Sequence, residues 1–304
     1  MFNQIIKAKE DIEFFNNSDA NTKFFRKYPP GHFYSPIPCL EEIKSREAKI
    51  FGTPPRQIPG IDLNEEGQLQ ILEKFKEFYN EQPFSPTKTD EFRYYFENGN
   101  YGYTDGIVLH CMIRYLQPKR IIEVGCGYSS CNMLDTNKLF FDDSIDLTFI
   151  DPNPERLYLQ TKSIGYAKAT VITRQVQDVS LDTFSGLEEN DILFIDSSHV
   201  AKIDSDVNYL VFEVLPRLKE GVYVHFHDIW YPFEYAKEWI YDGHAWNEAY
   251  IVRAFLQYNK DFKIAFFNGY LRYFFEDVFR EYMPLCLNHP GGSLWIRKVT
   301  DNRD

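Results

Sequence analysis

The sequence predicts an α/β protein with a mostly parallel sheet and helices on both faces of that sheet. Seven short segments in the C-terminal two-thirds of the chain are almost continuously apolar, which is typical of strands that are buried on both faces. Helical segments separate most of these strands, as parallel neighbours require. Hydrophobic residues make up 44% of the 304 residues, which is enough for a core of this size.

The seven predicted strands follow one another from residue 120 to residue 299. They are RIIEVG (120–125), LTFIDP (147–152), ATVITRQVQD (169–178), DILFIDSSH (191–199), GVYVHFHDI (221–229), FKIAFFN (262–268) and GSLWIRKV (292–299). Predicted helices are TDGIVLHCMIRYLQP (104–118), PERLYLQTKSIG (154–165) and DSDVNYLVFEVLPRL (204–218). An aromatic helical segment lies between the last two strands.

Residues 1–103 differ in character and predict a cap or lid region in front of a domain that spans residues 104–304. Two proline-rich segments, KYPPGHFYSPIP (27–38) and GTPPRQIPGIDL (52–63), exclude a regular helix and a central strand. The segment NEEGQLQILEKFKEFYNEQ (64–82) has the period of an amphipathic helix. Because the proline-rich segments are too aromatic for disordered linkers, we expect them to fold over the mouth of a binding pocket.

Net charge and composition exclude several classes of protein. The formal net charge is −12 and no basic patch stands out, which argues against nucleic-acid binding. No apolar run approaches the roughly 20 residues of a membrane span, and the N-terminal MFNQIIKAKEDIEFF is too charged for a signal peptide. The five cysteines are scattered without a CxxC pair, so neither a zinc site nor a disulfide framework is indicated. We therefore expect a cytoplasmic protein that binds neither nucleic acid nor membranes.

The carboxyl ends of the predicted strands carry acids and imidazoles. Ligands of open α/β sheets bind beyond these ends, so the residues there are expected to share one site. In chain order the ends carry Glu123 with Gly125 and Gly127, then Asp151, then Gln177 and Asp178, then Asp196 and His199, then His225, His227 and Asp228. Histidine ordinarily titrates near neutral pH and can accept a proton. Since His225 lies deeper in its strand than His227, we expect His225 to be a core residue.

The glycine turn after the first strand favours one class of ligand. Only GxG is present, and Tyr128, Ser129 and Ser130 stand where a dinucleotide-binding fingerprint has its third glycine. The acid before the turn, Glu123, would repel a pyrophosphate but attract a sulfonium and an ammonium group. Asp151 follows at about the distance at which a ribose-binding carboxylate is found.

With these residues the chain resembles the class I S-adenosylmethionine-dependent methyltransferases. The resemblance rests on EVGCGYSS (123–130) followed by Asp151 and Asp178, and the order of motifs agrees from about Asp105 to Lys298. It implies a Rossmann-like sheet of seven strands, the last of them antiparallel. The N-terminal phrases PPGHFYSPIP and IPGIDLNEEGQ further resemble a bacterial subgroup that is often associated with glycan or secondary-metabolite assembly.

The resemblance also implies roles for the residues at the strand ends. Those that would bind the methionine part of S-adenosylmethionine are Glu123, Gly125 and Gly127, with Tyr128 and Ser129 in the same loop. Asp151 would bind both ribose hydroxyls. Asp178, with Gln177 beside it, would meet the adenine amino group, and Asp196 would close the site near the sulfur.

Asp196, His199 and Asp228 are similar to three functional positions of the metal-dependent O-methyltransferases, such as catechol O-methyltransferase. In that family two of the positions bind Mg²⁺ and the third is a lysine base, which His199 replaces here. Ile229 stands where the catechol enzymes have an amide, and His227 where related sugar enzymes have a glutamate. The chain thus offers Asp196, His227 and Asp228 as ligands for Mg²⁺ or another divalent ion. A metal-free mechanism stays open, with His199 or His227 as the base beside Asp228.

The expected function is transfer of a methyl group from S-adenosylmethionine to a hydroxyl of a sugar or small polar metabolite. The partner would be a small-molecule or glycan acceptor, and the aromatic and polar side chains of WYPFEYAKEWIYDGHAWNEAY (230–250), Glu248 among them, are expected to line its side of the site. A homo-oligomer is compatible with this sequence.

Two other functions stay open. One is an NAD-dependent oxidoreductase, against which Glu123 and the missing third glycine argue. The other is a non-catalytic S-adenosylmethionine-binding module, against which the histidines and acids of the last strand ends argue.

Overall fold

The computed structural model describes residues 22–162 and 169–300, which form two compact units by their internal contacts. The first unit consists of the described residues up to Pro54 together with Lys237–Ala245. The second consists of Pro55–Ala236 and the described residues from Trp246 onward, and it contains the sheet. The N-terminal MFNQIIKAKEDIEFF lies outside the described residues.

The described part of the first unit is made of short helices joined by turns. The helices are Thr22–Lys27, Leu40–Ser45, Glu47–Ile50 and Lys237–Tyr241. Residues 28–39 form neither helix nor strand, as their prolines predict. Lys237 forms an ion pair with Glu47, so the distant segment 237–245 is held to this unit. The predicted place of the proline-rich segments over a binding pocket stays a prediction.

Seven strands form one sheet in the second unit. They are β1 (Arg120–Val124), β2 (Asp146–Ile150), β3 (Ala169–Ile172), β4 (Ile192–Ile195), β5 (Tyr223–Phe226), β6 (Phe262–Phe267) and β7 (Leu294–Lys298). Their order across the sheet is β3-β2-β1-β4-β5-β7-β6. The first five are parallel, and β7 is antiparallel to both β5 and β6. The predicted seven-stranded, mostly parallel fold is confirmed.

The register brings four strand ends to one edge of the sheet. Val124 pairs with Ile150 on one side and with Ile195 on the other, and Ile195 pairs with Phe226. Because these strands are parallel, the residues that follow them leave the sheet on the same side. This edge therefore collects the acids and histidines that follow β1, β2, β4 and β5.

The second unit also contains α-helices. They are Glu65–Tyr79, Tyr103–Leu116, Tyr128–Phe141, Glu155–Thr161, Asp182–Ser185, Asp206–Tyr209, Glu248–Leu256, Asn268–Phe274 and Glu276–Tyr282. Short 3₁₀ turns occur at Val176–Asp178, Leu215–Arg217 and Pro284–Leu287, and a π-helical turn at Leu210–Val214. Within the described ranges no helix combines the length and the apolar character needed to cross a bilayer.

The unit around the sheet begins at Pro55, whereas the boundary predicted from the sequence lies between residues 103 and 104. The reason is the amphipathic helix Glu65–Tyr79, which packs against the helix Tyr103–Leu116 and against β6. Its Phe75 is fully buried, with its ring centre 5.1 Å from that of Phe266. The apolar face of this helix is thus buried against the sheet and a helix that packs on it, so the segment folds with them.

The third strand is shorter than predicted. It ends at Ile172, and Val176–Asp178 forms a 3₁₀ turn. The side chain of Val176 is buried, so the apolar residue that suggested a longer strand instead anchors the turn under the sheet edge.

Candidate active site

The turn after β1 brings the backbones of three strand ends into contact. Gly125 has a φ of +81°, and a Cβ atom there would overlap the carbonyl oxygen of Asp196. The N–H of Gly125 donates to the carbonyl of Ile150 at 2.9 Å, and the N–H of Asp196 donates to the carbonyl of Val124 at 2.9 Å. Glycine is therefore required at this position, because the turn packs directly against the backbone of Asp196.

Glu123, at the end of β1, is fully buried behind this turn. The hydroxyls of Ser129 and Ser130 donate to its two carboxylate oxygens. Ser130 Oγ in turn accepts from the N–H of Gly127 at 2.9 Å. Burial raises the pKa of Glu123 to about 8, although the two hydroxyl donors act in the opposite direction. Glu123 thus holds the start of the helix Tyr128–Phe141.

A cavity of about 550 Å³ lies at the carboxyl edge of the sheet. Its lining residues are Val124, Gly125, Ile150, Asp151, Pro152, Gln175, Val176, Gln177, Asp196, Ser197, Ser198, Lys202, Ile203, Asp204, Ser205 and Asp206. The volume lies in the range of small-molecule and cofactor sites, roughly 300–1,000 Å³. The carboxylate of Asp151 accepts from the N–H groups of Cys126 at 2.9 Å and Asn153 at 2.7 Å. Each of its oxygens keeps a second acceptor position for a ligand hydroxyl.

The structure brings some of the predicted cofactor residues to this cavity and leaves others away from it. Gly125, Asp151, Gln177 and Asp196 line it. The residues that do not line it are Glu123, Gly127, Tyr128, Ser129 and Asp178. Asp178 is exposed at the end of the 3₁₀ turn, so the neighbouring Gln177 is the side chain of that pair that faces the cavity.

One wall of the cavity comes from a segment that was not predicted to lie at the site, although its residues 204–206 were predicted to begin a helix. The loop 202–206 lines it, and Ile203 is 93% exposed there. The side-chain amide of Gln177 donates to the carbonyl of Asp204 at 2.9 Å, which ties the loop to the turn after β3. A loop after the DSSH motif has no pattern that predicts this, because its place depends on the tertiary bond to Gln177.

Imidazoles and carboxylates cluster where β4 and β5 end. His199 Nε2 lies 3.4 Å from Asp196 Oδ1 and 3.5 Å from Asp228 Oδ2. His227 Nε2 lies 3.5 Å from Asp228 Oδ1. On its other side His199 Nδ1 lies 2.8 Å from Glu248 Oε2. His199 and Asp228 both have left-handed backbones, with φ of +59° and +55°, a strain that is often found at functional sites.

The charges of this cluster shift its pKa values. Desolvation lowers the pKa of His199, but hydrogen bonds to Asp196 and Glu248 outweigh it and hold that pKa well above the usual range. Burial acts to raise the pKa of Asp196, yet the imidazoles of His227 and His199 hold it below its ordinary value. Asp196 and Glu248 thus favour the protonated form of the His199 ring in the metal-free protein, and its role as a base stays a prediction.

Asp196, His227 and Asp228 fit a divalent ion by their donor atoms. Each offers one ligand atom, and these atoms lie within 4.8 Å of one another. Carboxylate oxygens with one imidazole suit Mg²⁺, Mn²⁺ or a softer divalent ion. The other ring nitrogen of His227, Nδ1, is buried without a hydrogen-bond partner among the described residues. Metal-binding histidines usually have such a partner, so the outer contacts of this set are incomplete.

Two buried side chains beside the cluster have polar atoms without partners among the described residues. The His225 ring stacks on Phe194 with ring centres 3.8 Å apart, and burial holds its pKa well below the usual range. His225 is therefore a neutral core residue, as its depth in the strand predicts. The hydroxyl of Tyr101 is also buried and unpaired in this sense, and its ring centre lies 5.0 Å from that of His227. Nothing in the sequence around Tyr101 distinguishes it from the other aromatic residues of its loop.

The segment 230–250 contributes to the cluster through residues near its two ends. The ring centre of Trp246 lies 4.5 Å from that of His199, and the indole is partly exposed. Trp230, also partly exposed, approaches the same part of the sheet edge, because Asp228 and the Trp230 indole both flank Gly292. Glu248 is buried against His199, although its segment was predicted to line the part of the site that binds the methyl acceptor.

Comparison with known protein families agrees with this geometry. A family model described as a methyltransferase domain matches residues 122–229, which run from β1 to the residues just after β5. The sheet order and the antiparallel β7 add to this match. The chain is a class I S-adenosylmethionine-dependent methyltransferase.

Among curated proteins, an uncharacterized protein from Archaeoglobus fulgidus is 35% identical to this chain over 193 residues. The match covers 62% of this chain and 87% of that protein. The chain therefore belongs to the same family as the Archaeoglobus protein.

Solved structures to which the chain is similar include two methyltransferases. One is a methyltransferase of Podospora anserina bound to S-adenosylhomocysteine, with 15% identity, coverage of 87% of this chain and 98% of that chain, and a TM-score of 0.43. The other is the O-methyltransferase TomG from Streptomyces achromogenes, involved in tomaymycin synthesis and in complex with S-adenosylmethionine. It has 13% identity, coverage of 85% of this chain and 96% of that chain, and a TM-score of 0.42.

Proposed function

We propose that this methyltransferase acts on a hydroxyl of a sugar or other small polar molecule and that His199 is the base. The observation that carries the proposal is the position of His199 Nε2, 3.4 Å from Asp196 and 3.5 Å from Asp228 at the carboxyl edge of the sheet. Asp196 also lines the neighbouring cavity. A proton acceptor thus lies beside the place where the cofactor of this class binds.

The cavity next to His199 fits S-adenosylmethionine. Asp151 has acceptor positions for the ribose hydroxyls, and Gly125 lines the cavity in which the methionine part would lie. When bound, S-adenosylmethionine supplies an electrophilic methyl group on a positively charged sulfur. The acidic side chains at the strand ends favour that charge.

The residues of the chain then have to remove one proton. As a bond forms between the acceptor oxygen and the methyl carbon and the bond from that carbon to sulfur breaks, the hydroxyl proton passes to Nε2 of His199. A positioned base contributes typically about 10²–10⁴-fold to a rate. His199 must be neutral to act, so the carboxylates that raise its pKa oppose its role as a base at low pH.

Asp196, His227 and Asp228 are proposed as the ligands of a divalent ion such as Mg²⁺ in the metal-assisted form of this reaction. Such an ion would lower the pKa of an acceptor hydroxyl. In the metal-free form His199, or His227 in its place, acts alone beside Asp228. The partly exposed rings of Trp230 and Trp246 support a ring-shaped acceptor such as a sugar, since aromatic faces and polar tips suit such ligands.

Two measurements test the proposal. Calorimetry should detect S-adenosylhomocysteine binding and no NAD binding, and the reverse result would favour an oxidoreductase. Turnover is measured as S-adenosylhomocysteine released with catechol, nucleotide sugars and oligosaccharides as probe acceptors. His199→Gln should lower that rate about 10²–10⁴-fold with little change in cofactor affinity. Loss of activity in EDTA and recovery with Mg²⁺ or Mn²⁺ would establish the metal-assisted form, and full activity of His199→Gln would refute the role of His199.

A further inference from the structure

Glu248 is buried beside Nδ1 of His199, whereas the other ring nitrogen, Nε2, lies near Asp196 and Asp228. It is the first residue of the helix Glu248–Leu256, and only 1% of it is exposed. Its Oε2 lies 2.8 Å from His199 Nδ1, while Oε1 has no hydrogen-bond partner among the described residues. A carboxylate in the core is unfavourable unless it is paired, so its position against a single imidazole nitrogen calls for a function.

The backbone around the two residues fixes their relative position. The N–H groups of Asn247 and Glu248 both donate to the carbonyl of His199 at 3.1 Å. The side chain of Asn247 accepts from the N–H of Ala201 at 2.6 Å and donates to its carbonyl at 3.2 Å. The Trp246 ring covers one face of the imidazole. The hydrogen bonds between the loop after β4 and the start of this helix, together with the Trp246 ring, therefore fix the position of the His199 ring.

Resting on the proposed function, we propose that Glu248 is the positioning residue of the base: its carboxylate accepts the Nδ1 proton of His199 and so keeps Nε2 as the atom that takes the acceptor proton. The opposite placement of the protons would also form a hydrogen bond between Glu248 and His199. A protonated Glu248 would donate to a bare Nδ1, and the only imidazole proton would lie on Nε2 between Asp196 and Asp228. His199 could not then accept a proton at Nε2, so the two arrangements differ in whether the base can work.

The wild-type protein itself distinguishes the two arrangements without an acceptor. In a nitrogen-15-labelled sample, the His199 resonances are assigned by their loss in His199→Gln. The spectra are recorded above the pH at which the ring loses its second proton, because a doubly protonated ring carries a proton on Nδ1 in either arrangement. We expect a proton bonded to Nδ1 that lies far downfield and exchanges slowly with water, because it is buried and bonded to a carboxylate. A spectrum in which Nδ1 carries no proton would overturn the proposal.

The substitution Glu248→Gln keeps the size of the side chain and removes its charge. It should move the Nδ1 proton resonance strongly upfield or abolish it. The same substitution at Glu213, an exposed carboxylate paired with Arg217, should leave the resonance unchanged. A Glu248→Gln spectrum identical to that of the wild type would refute the role of the carboxylate. Should Glu248→Gln fail to fold, the wild-type spectrum alone still decides.

Turnover gives a second measure once one of the probe acceptors is methylated. Glu248→Gln should lower kcat about 10²-fold or more, as expected when a base loses the partner that fixes its tautomer, and leave KM and the affinity for S-adenosylhomocysteine within about twofold. An unchanged kcat would overturn the positioning role. A protein that shows the Nδ1 proton but neither binds S-adenosylhomocysteine nor methylates any probe would instead overturn the proposed function and leave the Glu248–His199 pairing in place.

Discussion

Glu123 is the residue whose ionisation couples the cofactor turn to the stability of the fold. It is fully buried, and its carboxylate oxygens accept hydrogen bonds only from the hydroxyls of Ser129 and Ser130 among the described residues. Its pKa is raised to about 8 by burial, against an ordinary value of 4.5. The substitution Glu123→Gln removes the titration and preserves the shape of the side chain, since the amide can both accept from one hydroxyl and donate to the other.

The sign and size of the effect follow from proton binding. A group whose pKa is raised on folding binds its proton more tightly in the folded state. Its contribution to stability is therefore complete below pH 4.5 and is lost as the pH rises through about 8. Each pH unit in this interval costs about 1.4 kcal/mol, so the whole loss is at most roughly 5 kcal/mol. In Glu123→Gln this part of the pH dependence should be absent.

Urea unfolding at several values between pH 5 and pH 9 measures the difference. The free energy of unfolding of Glu123→Gln should equal that of the wild type near pH 5 to within about 1 kcal/mol and exceed it above pH 8. Glu213→Gln, at an exposed carboxylate, serves as the control and should follow the wild-type curve. A Glu123→Gln protein that is destabilised equally at every pH would show that Glu123 is ionised and stabilising in the fold.

Three further predictions concern the cofactor cavity and the neighbouring cluster. Asp151→Asn should weaken S-adenosylhomocysteine binding by about 1–3 kcal/mol in calorimetry, whereas Asp178→Asn, away from the cavity, should have little effect; equal effects would contradict the placement of the two acids. Gly125→Ala should lower the free energy of unfolding by more than about 1 kcal/mol, because its left-handed backbone lies against the Asp196 carbonyl, and an unchanged urea midpoint would contradict this. Tyr101→Phe removes a buried hydroxyl without a partner among the described residues and should raise the stability of the cofactor-free protein by about 1–3 kcal/mol; a fall in thermal midpoint would show that the hydroxyl is bonded.

Local pattern was sufficient to predict the fold and the edge at which the site lies. Continuous apolar runs such as that of β4 are characteristic of buried parallel strands, and parallel strands end at a common edge whatever their order. For that reason Asp151, Asp196 and Asp228 could be expected to lie near one another before any contact was known. Gly125 was likewise predicted to lie at this edge from the GxG pattern, but its contact with the carbonyl of Asp196, which requires the glycine, was not predicted.

The remainder of the site depends on contacts between segments that are far apart in the sequence. Glu248 faces His199 because the helix after residue 247 begins against the carbonyl of His199, and helical periodicity does not report which carbonyl a helix meets. The same holds for the loop 202–206, which Gln177 holds to the cavity. The raised pKa of His199 likewise follows from carboxylates of two separate segments, Asp196 after β4 and Glu248 at the start of a distant helix, so its reference value near neutrality was a poor guide.

The base and the proposed metal ligands are not independent, because they share the same carboxylates. Asp196 and Asp228 flank His199 Nε2 at 3.4 and 3.5 Å and also belong, with His227, to the set that could hold a divalent ion. Asp196, together with Glu248, raises the pKa of His199 and so favours the protonated ring, which cannot accept a proton. A cation held by the same acids would oppose that protonation and leave the imidazole neutral. Activity that EDTA abolishes at pH 7 but spares at high pH would thus support one site in which metal and proton compete, whereas equal inhibition at every pH would show that the ion has a separate role.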